Sequence, residues 1–229
     1  MNVKQCIKQN PKILHLAATI YNLFHRNNLW RCANGNVVVC KGAFFNHSYI
    51  HISGKNCTVK IGPMARLRHC NIYIHGDNCQ FSLGGAHTIV ANTSFVIEDD
   101  NGKIKIGNDF TMEGGEIAAT EGQSITIGQD CMISSDVDIR NGDSHVILDK
   151  ATGNRTNYAK PIIIGDHVWL TAHVRVLKGS VIPNESIVGN SSVVSGKFTA
   201  PNGVYAGNPA KLVKTGITWN RFRDKFKQD

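Results

Sequence analysis

From residue 164 onward the chain keeps a beat of six. Ile164, Leu170, Val176, Ile182, Val188 and Val194 recur at that interval without a slip. Four residues after each of the first five stand Val168, Val174, Ser180, Ser186 and Ser192, all small or β-branched. Ile127, Ile133 and Ile139 hold the same beat upstream, with Cys131 and Val137 at the small position. Such a period matches neither the roughly 3.6-residue turn of a helix nor the rhythm of about 8–12 residues expected of a sandwich. It predicts an all-β solenoid in which each hexad makes one flat side. The large apolar residue points in, and the small one fits the corner. One coil cannot bury its apolar side chains alone, so stacked neighbours must supply the core.

A coarser repeat lies over the first. The segments "NCTVKIG", "NCQFSLG", "NGKIKIG", "GQSITIG" and "AKPIIIG" end at Gly62, Gly84, Gly107, Gly128 and Gly165. The intervals between these glycines are 22, 23, 21 and then 37. "NVVVCKG", ending at Gly42, reads as a degenerate earlier copy. Three hexads make a coil of about 18 residues, so the shorter intervals are one coil plus a small loop. The long interval opens an excursion at about 141–160, "NGDSHVILDKATGNRTNYAK", with one histidine near its start. A long polar loop on a rigid stack is where function usually resides.

The two ends read differently. Ile13, Leu16, Ala17, Ile20, Leu23 and Phe24 stand at helical spacing within residues 11–26, which predicts a helix covering the first coil. The expected division is a helical cap over 1–35, a solenoid over 36–200 and a tail over 201–229 with a short basic helix. Residues 1–31 hold five Lys/Arg and no acid, and residues 197–229 hold seven and two. The body between them carries 13 bases and 15 acids, so the net charge of +8 is concentrated at the ends. No continuous basic face emerges, which argues against a dedicated nucleic-acid binder. Solvated tails account for most such charges, and anionic lipid, an acidic polymer or a phosphate-bearing cofactor would each also suit the basic ends. Seven cysteines without a CxxC pair argue for reduced thiols rather than a disulfide or zinc framework. Residues 13–25 form a segment too short and too broken by polar residues to span a bilayer, and the expected location is the cytoplasm, with contact at the inner face of the membrane as a further reading.

The stretch "IIIGDHVWLTAHVRVLKGSVIPNESIVGNSSVVSGKFTAPNGVYAGNPAKLVK" resembles the hexapeptide-repeat acyltransferases. With "DSH" and "TGNRTN" added, it is similar to the branch that O-acetylates bacterial surface polysaccharides, including sialic-acid capsules. The resemblance covers roughly residues 100–215. It implies a left-handed parallel β-helix, a homotrimer with active sites between subunits, and acetyl-coenzyme A (acetyl-CoA) as co-substrate, with no metal. It also implies that His145 is the general base, able to take the proton of a sugar hydroxyl as it attacks the thioester. His145 also continues the Ile127–Ile133–Ile139 series, so a ring facing into the solenoid is the alternative. Asp143 would orient that ring or help turn the loop. Trp169 would lie at the catalytic site, donating its indole N–H to the thioester oxygen, or would pack at a subunit interface.

Thr171, Lys178, Asn190, Lys197 and Lys211 are the expected donor-binding residues, with Lys214 beside them. Arg155, Asn157 and Tyr158 are expected to reach a carbohydrate acceptor. The chain departs from the commoner pattern where Thr171 replaces the glycine of "WIG", where Pro183 replaces an Ile–Gly step, and where "GNSSVV" replaces "GAGSVV". The expected function is O-acetyl transfer from acetyl-CoA to a capsular or other surface polysaccharide or its precursor. A small metabolite or nucleotide sugar is the alternative acceptor. A zinc carbonic anhydrase on the same solenoid would need converging histidines, for which His69, His87, His167 and His173 are candidates. A non-catalytic solenoid is the third reading.

Overall fold

The computed structural model describes residues 10–25, 27–29 and 34–222. Within them each hexad forms a short strand, and strands one coil apart pair in parallel into three sheets of eight, seven and nine strands. The first face includes Asn71–Ile74, Thr93–Ile97, Gly115–Ala119 and Val137–Arg140. The second includes Thr58–Ile61, Lys103–Ile106, Ser124–Ile127 and Ile162–Ile164. The third runs through Arg66–Arg68, Ile89–Ala91, Thr111–Met112, Met132–Ile133 and Trp169–Leu170. Among the strands of these sheets the antiparallel pairing is between Val204–Gly207 and Ala210–Lys214, at the far end of the third face. Strand Asn28–Leu29 already pairs with Tyr49 and Ile50, and Val204 pairs with Ile187 in parallel. The expected limits of 36 and 200 therefore leave one strand of the sheets outside at the first end and two at the last.

The inward positions are those the period picked out. Ile164, Leu170, Val176, Ile182, Val188 and Val194 are all buried, as are Val168, Val174, Ser180, Ser186 and Ser192. The buried serines have partners; Ser180, for example, donates to the carbonyl of Leu177 at 2.6 Å. Cys57, Cys70, Cys79 and Cys131 fill small buried positions. Burial pushes the Cys131 thiol up to about 12, which makes it inert as a nucleophile.

Between faces the chain turns through positive φ. Asn56, Asn78 and Asn101 do so at the corner between the first and second faces, and Asp109, Asp130 and His167 between the second and third. His69, Asn92, Asp136 and His173 take the remaining corner. Asn, Asp and His are the non-glycine residues that best tolerate this conformation. The histidines that a zinc site would need thus sit in three different settings. His69 stacks on His47 at 5.2 Å, His87 pairs with Asp109 at 2.8 Å, and His167 and His173 bind Asp130 and Asp136 one coil below.

Helix α1, Pro11–Phe24, closes the open end of the stack, with Asn10 capping its first turn. It does not use the expected stripe. Leu14 and Ala18 are buried, whereas Ile13, Leu16, Ile20, Leu23 and Phe24 face solvent. The reason is polar. Asn22 donates to the carbonyl of Ala43 at 3.1 Å and accepts from the amide of Phe45 at 2.8 Å. An open strand edge needs such a partner more than it needs apolar cover, and Leu14 and Ala18 lie on the same side of the helix as Asn22.

The C-terminal segment is also unlike its expectation. Through Phe222 it is extended rather than helical, and residues 223–229 lie outside the described part. It runs back down the corner between the second and third faces. Ile217 binds Asn202, Thr218 binds Glu185, and Trp219 stacks on His167 at 4.0 Å. Arg221 then reaches Asp130, the Thr111 hydroxyl and the carbonyls of Asp109 and Cys131. This strap ties successive coils together across sequence separations of 15 to 112 residues. Arg221→Ala removes all four contacts and should lower unfolding free energy by about 1–3 kcal/mol, measured by denaturant titration.

Candidate active site

The beat of six would place His145 inside the prism, and the chain leaves before it gets there. Asn141 and Gly142 are the last buried residues, and His145 is exposed. Gly142 is required at this exit, because a Cβ there would stand 2.1 Å from the Thr120 hydroxyl. The excursion begins and ends at the corner between the first and second faces, where the amide of Lys160 donates to the carbonyl of Asn141 at 2.9 Å. Between these points the chain folds on itself. Leu148 bridges Arg155 in antiparallel fashion, and Asp149 closes the tip by accepting from Ala151 and Thr152.

Asn157 is the hub of this loop. Its amide donates to Asp143 at 2.8 Å and to the His145 carbonyl at 2.7 Å. Its oxygen accepts from the Ile147 amide at 2.8 Å and from Arg155 Nε at 3.3 Å. Buried and fully engaged, Asn157 has no bond left for an acceptor sugar. Arg155 is likewise turned inward: it pairs with Glu121 on the coil below and lies over the Tyr158 ring at 4.7 Å. Of the three residues expected to reach an acceptor, Tyr158 is the exposed one.

Asp143 does not touch the His145 ring. It pairs with Lys178, which also donates to the Asn157 carbonyl at 3.2 Å. The Lys178 ammonium and the Asn157 amide hold the Asp143 carboxyl below the usual carboxylate range. Arg155 and the Ala159 amide do the same for Glu121. The loop is thus anchored to Glu121 on one coil and to Lys178 on a later one, and it displays an imidazole with no hydrogen-bond partner among the described residues.

Trp169 lies on the third face, in register with Met132 and Ile187. Its indole N–H is buried and has no partner, an arrangement that ordinarily costs about 1–3 kcal/mol. The Trp219 ring of the strap stands 6.1 Å from it. Sequence reasoning missed Trp219 and Arg221, since one "WNR" in a basic terminus has no repeat to give it a partner.

The expected donor residues do not line a single groove of one chain. Thr171, whose hydroxyl is bound to the Val188 carbonyl at 2.7 Å, and exposed Asn190 lie at the corner between the third and first faces. Lys178 and exposed Lys197 lie at the corner that carries the loop, and Lys211 lies on the final strand. In a three-sided prism the loop corner is opposite the third face. His145 and Trp169 of one chain therefore point away from each other.

No family model matches the sequence. The chain is 37% identical over 111 residues to the polysialic acid O-acetyltransferase of Neisseria meningitidis, covering 48% of this chain and 52% of that protein. It is 35% identical over 126 residues to the polysialic acid O-acetyltransferase of Escherichia coli O1:K1 / APEC, covering 55% and 41%. In these alignments the chain spans about half the length of the curated relatives it matches. The solved structure of the polysialic acid O-acetyltransferase OatWY superposes with a TM-score of 0.79 at 33% identity, covering 86% of this chain and 90% of that one. NeuO, a polySia-specific acetyltransferase, superposes at 0.61 with 26% identity over the same shares. The chain belongs to the hexapeptide-repeat acetyltransferases with a left-handed β-helix. Within that class, the two solved relatives named here act on polysialic acid.

The anchors of the loop make its order dependent on pH. Glu121 and Asp143 both have depressed folded-state values, so their contribution is complete above the ordinary carboxylate range of about 4. It is lost as pH falls through the lower folded values. Hydrogen exchange over 141–160 should accelerate in that acidic window while the solenoid stays protected. Arg155→Ala should give the same local acceleration, several-fold or more, already at neutral pH.

Proposed function

We propose that this chain is an O-acetyltransferase that moves an acetyl group from acetyl-CoA to a hydroxyl of polysialic acid or a related surface polysaccharide. The observation that carries the reading is the exposed His145 imidazole, held out on a loop that Asn157, Arg155 and Asp143 fasten to itself and to the stack. The names of the relatives, polysialic acid O-acetyltransferases, support the choice of acetyl group and acceptor.

In this reading neutral His145 accepts the proton of an acceptor hydroxyl as its oxygen attacks the thioester carbonyl. A C–O bond forms, the C–S bond breaks, and the imidazolium returns its proton to the departing thiolate. The unpartnered Trp169 N–H is suited to the carbonyl oxygen as negative charge gathers there; reaching it calls for local movement of the side chains that cover it. Because the loop corner and the third face lie on opposite sides of one prism, His145 of one copy meets Trp169 of another. A trimer closed by three such contacts satisfies this with three equivalent sites. Lys178 acts in this scheme by holding the loop, and Thr171, Asn190, Lys197 and Lys211 are available to the donor from two adjoining copies.

The basic N-terminal region and the exposed stripe of α1 suit peripheral contact with an anionic membrane. No helix among the described residues is long and apolar enough to cross one. Sedimentation with vesicles rich in anionic lipid should carry the wild type down and leave a Leu16→Ser/Leu23→Ser variant in solution.

The function is tested by thiol release from acetyl-CoA with polysialic acid, neutral glycans and amino sugars as acceptors. His145→Ala should lower kcat by about 10²–10⁴-fold with polysialic acid, with the thermal midpoint unchanged. Turnover confined to amino sugars, or an undiminished rate in the variant, would sink the assignment.

A further inference from the structure

The arginines of this molecule divide into two kinds. Among the described residues Arg140, Arg155, Arg175 and Arg221 each meet a carboxylate. Arg66 and Arg68 meet none. They alternate with buried Leu67 on strand Arg66–Arg68, so both guanidinium groups project from the third face into solvent. A strand rises about 3.3 Å per residue, which sets their stems about 7 Å apart.

These two side chains border a cavity of about 590 Å³ whose other walls include Tyr21 and Phe44. The two rings meet edge to face at 5.5 Å. Asn46 adds a polar group, and exposed Ile89 an apolar floor. Arg68 and Ile89 also border the next hollow along the same face, with Thr111, Met132 and Glu113. The coil after Met132 carries Trp169. A furrow made of these two hollows follows the third face from the arginine pair as far as Met132, and Trp169 lies one strand step beyond, four steps or roughly 19 Å from the pair at about 4.8 Å per step.

We propose that Arg66 and Arg68, with Tyr21 and Phe44, form a remote binding site for a carboxylate-bearing sugar polymer, gripping a chain whose reacting residue lies near Trp169. The inference rests on the acceptor reading given above, which it deepens by locating a grip on the polymer outside the reacting site. Guanidinium forks match carboxylates in a planar, two-bond geometry. Aromatic walls offer apolar surface to the C–H faces of sugar rings. A second point of attachment raises the local concentration of acceptor without touching the chemistry. Such a site favours long acceptors over short ones, since a single sugar cannot span the furrow.

The test compares wild type with Arg66→Ala/Arg68→Ala and with Lys60→Ala/Lys105→Ala, which removes the same charge from exposed positions on the second face. Binding of long polysialic acid is read by calorimetry, and its KM and kcat by thiol release. The arginine variant should bind on the order of tenfold more weakly, with KM raised by a like factor and kcat held. The lysine variant should stay within about twofold of wild type for binding. Absent binding by wild type, equal loss in the lysine variant, or equal affinity for polyglutamate would each overturn the site. Normal polymer turnover with an unmoved KM in the arginine variant removes the site and leaves the acetyltransferase reading intact. Lost polymer binding in that variant, with no acceptor acetylated by wild type, removes the reading and leaves the site.

Discussion

Everything in this molecule depends on one coil lying squarely on the next. A coil turns one or two large side chains inward on each face and cannot shield them alone. Phe81, Ile104, Ile125 and Ile162 stand in a single register on the second face, each covering the one below. A one-residue slip would send such a column to solvent. The chain can therefore gain or lose residues only where it turns. Its corners, taken mainly by Asn, Asp and His at positive φ, are those places, and the largest insertion of the solenoid lies at one of them.

That insertion converts the rigidity of the stack into a fixed position for one side chain. The ion pairs of Arg155 with Glu121 and of Lys178 with Asp143 are partly solvated, so neither adds much to global stability. Their effect is to offset the entropy of ordering a long polar segment. They do so by attaching it to two different coils, so the loop inherits the spacing of the stack. Asn157 completes the arrangement by using every hydrogen-bonding position of its amide within the loop.

What could be read from the letters alone follows from this division. The core of the later coils was legible to the residue, because a period of six repeated from Ile164 to Val194 leaves one set of inward positions. The excursion was legible as a broken interval, and His145 as its exposed histidine. The partners of Arg155, Asn157 and Lys178 were not, because each lies across a loop closure and no periodicity relates residue 155 to 121 or 178 to 143. Helix α1 misled for a different reason. Its apolar spacing is real, but an open strand edge asked for the amide of Asn22, and that fixed which side turned inward. The strap was not legible because its order is tertiary: Trp219 and Arg221 take their places from His167 and Asp130.

The same geometry decides how the catalytic parts must be combined. Loop and tryptophan belong to one chain, yet the prism separates them by its own thickness. No movement of a loop tied at Glu121 and Lys178 carries it around two corners. In the function proposed above, chemistry that needs both groups would be assembled at a seam between copies, with the loop of one against the third face of its neighbour. Val146, Ile147 and Leu148, each more than half exposed on the loop, provide apolar surface for that contact. The strap borders the receiving face, with Trp219 beside Trp169. Under that proposal association and activity are coupled directly, because the surfaces that would hold the copies together are those that would bring His145 to its substrate.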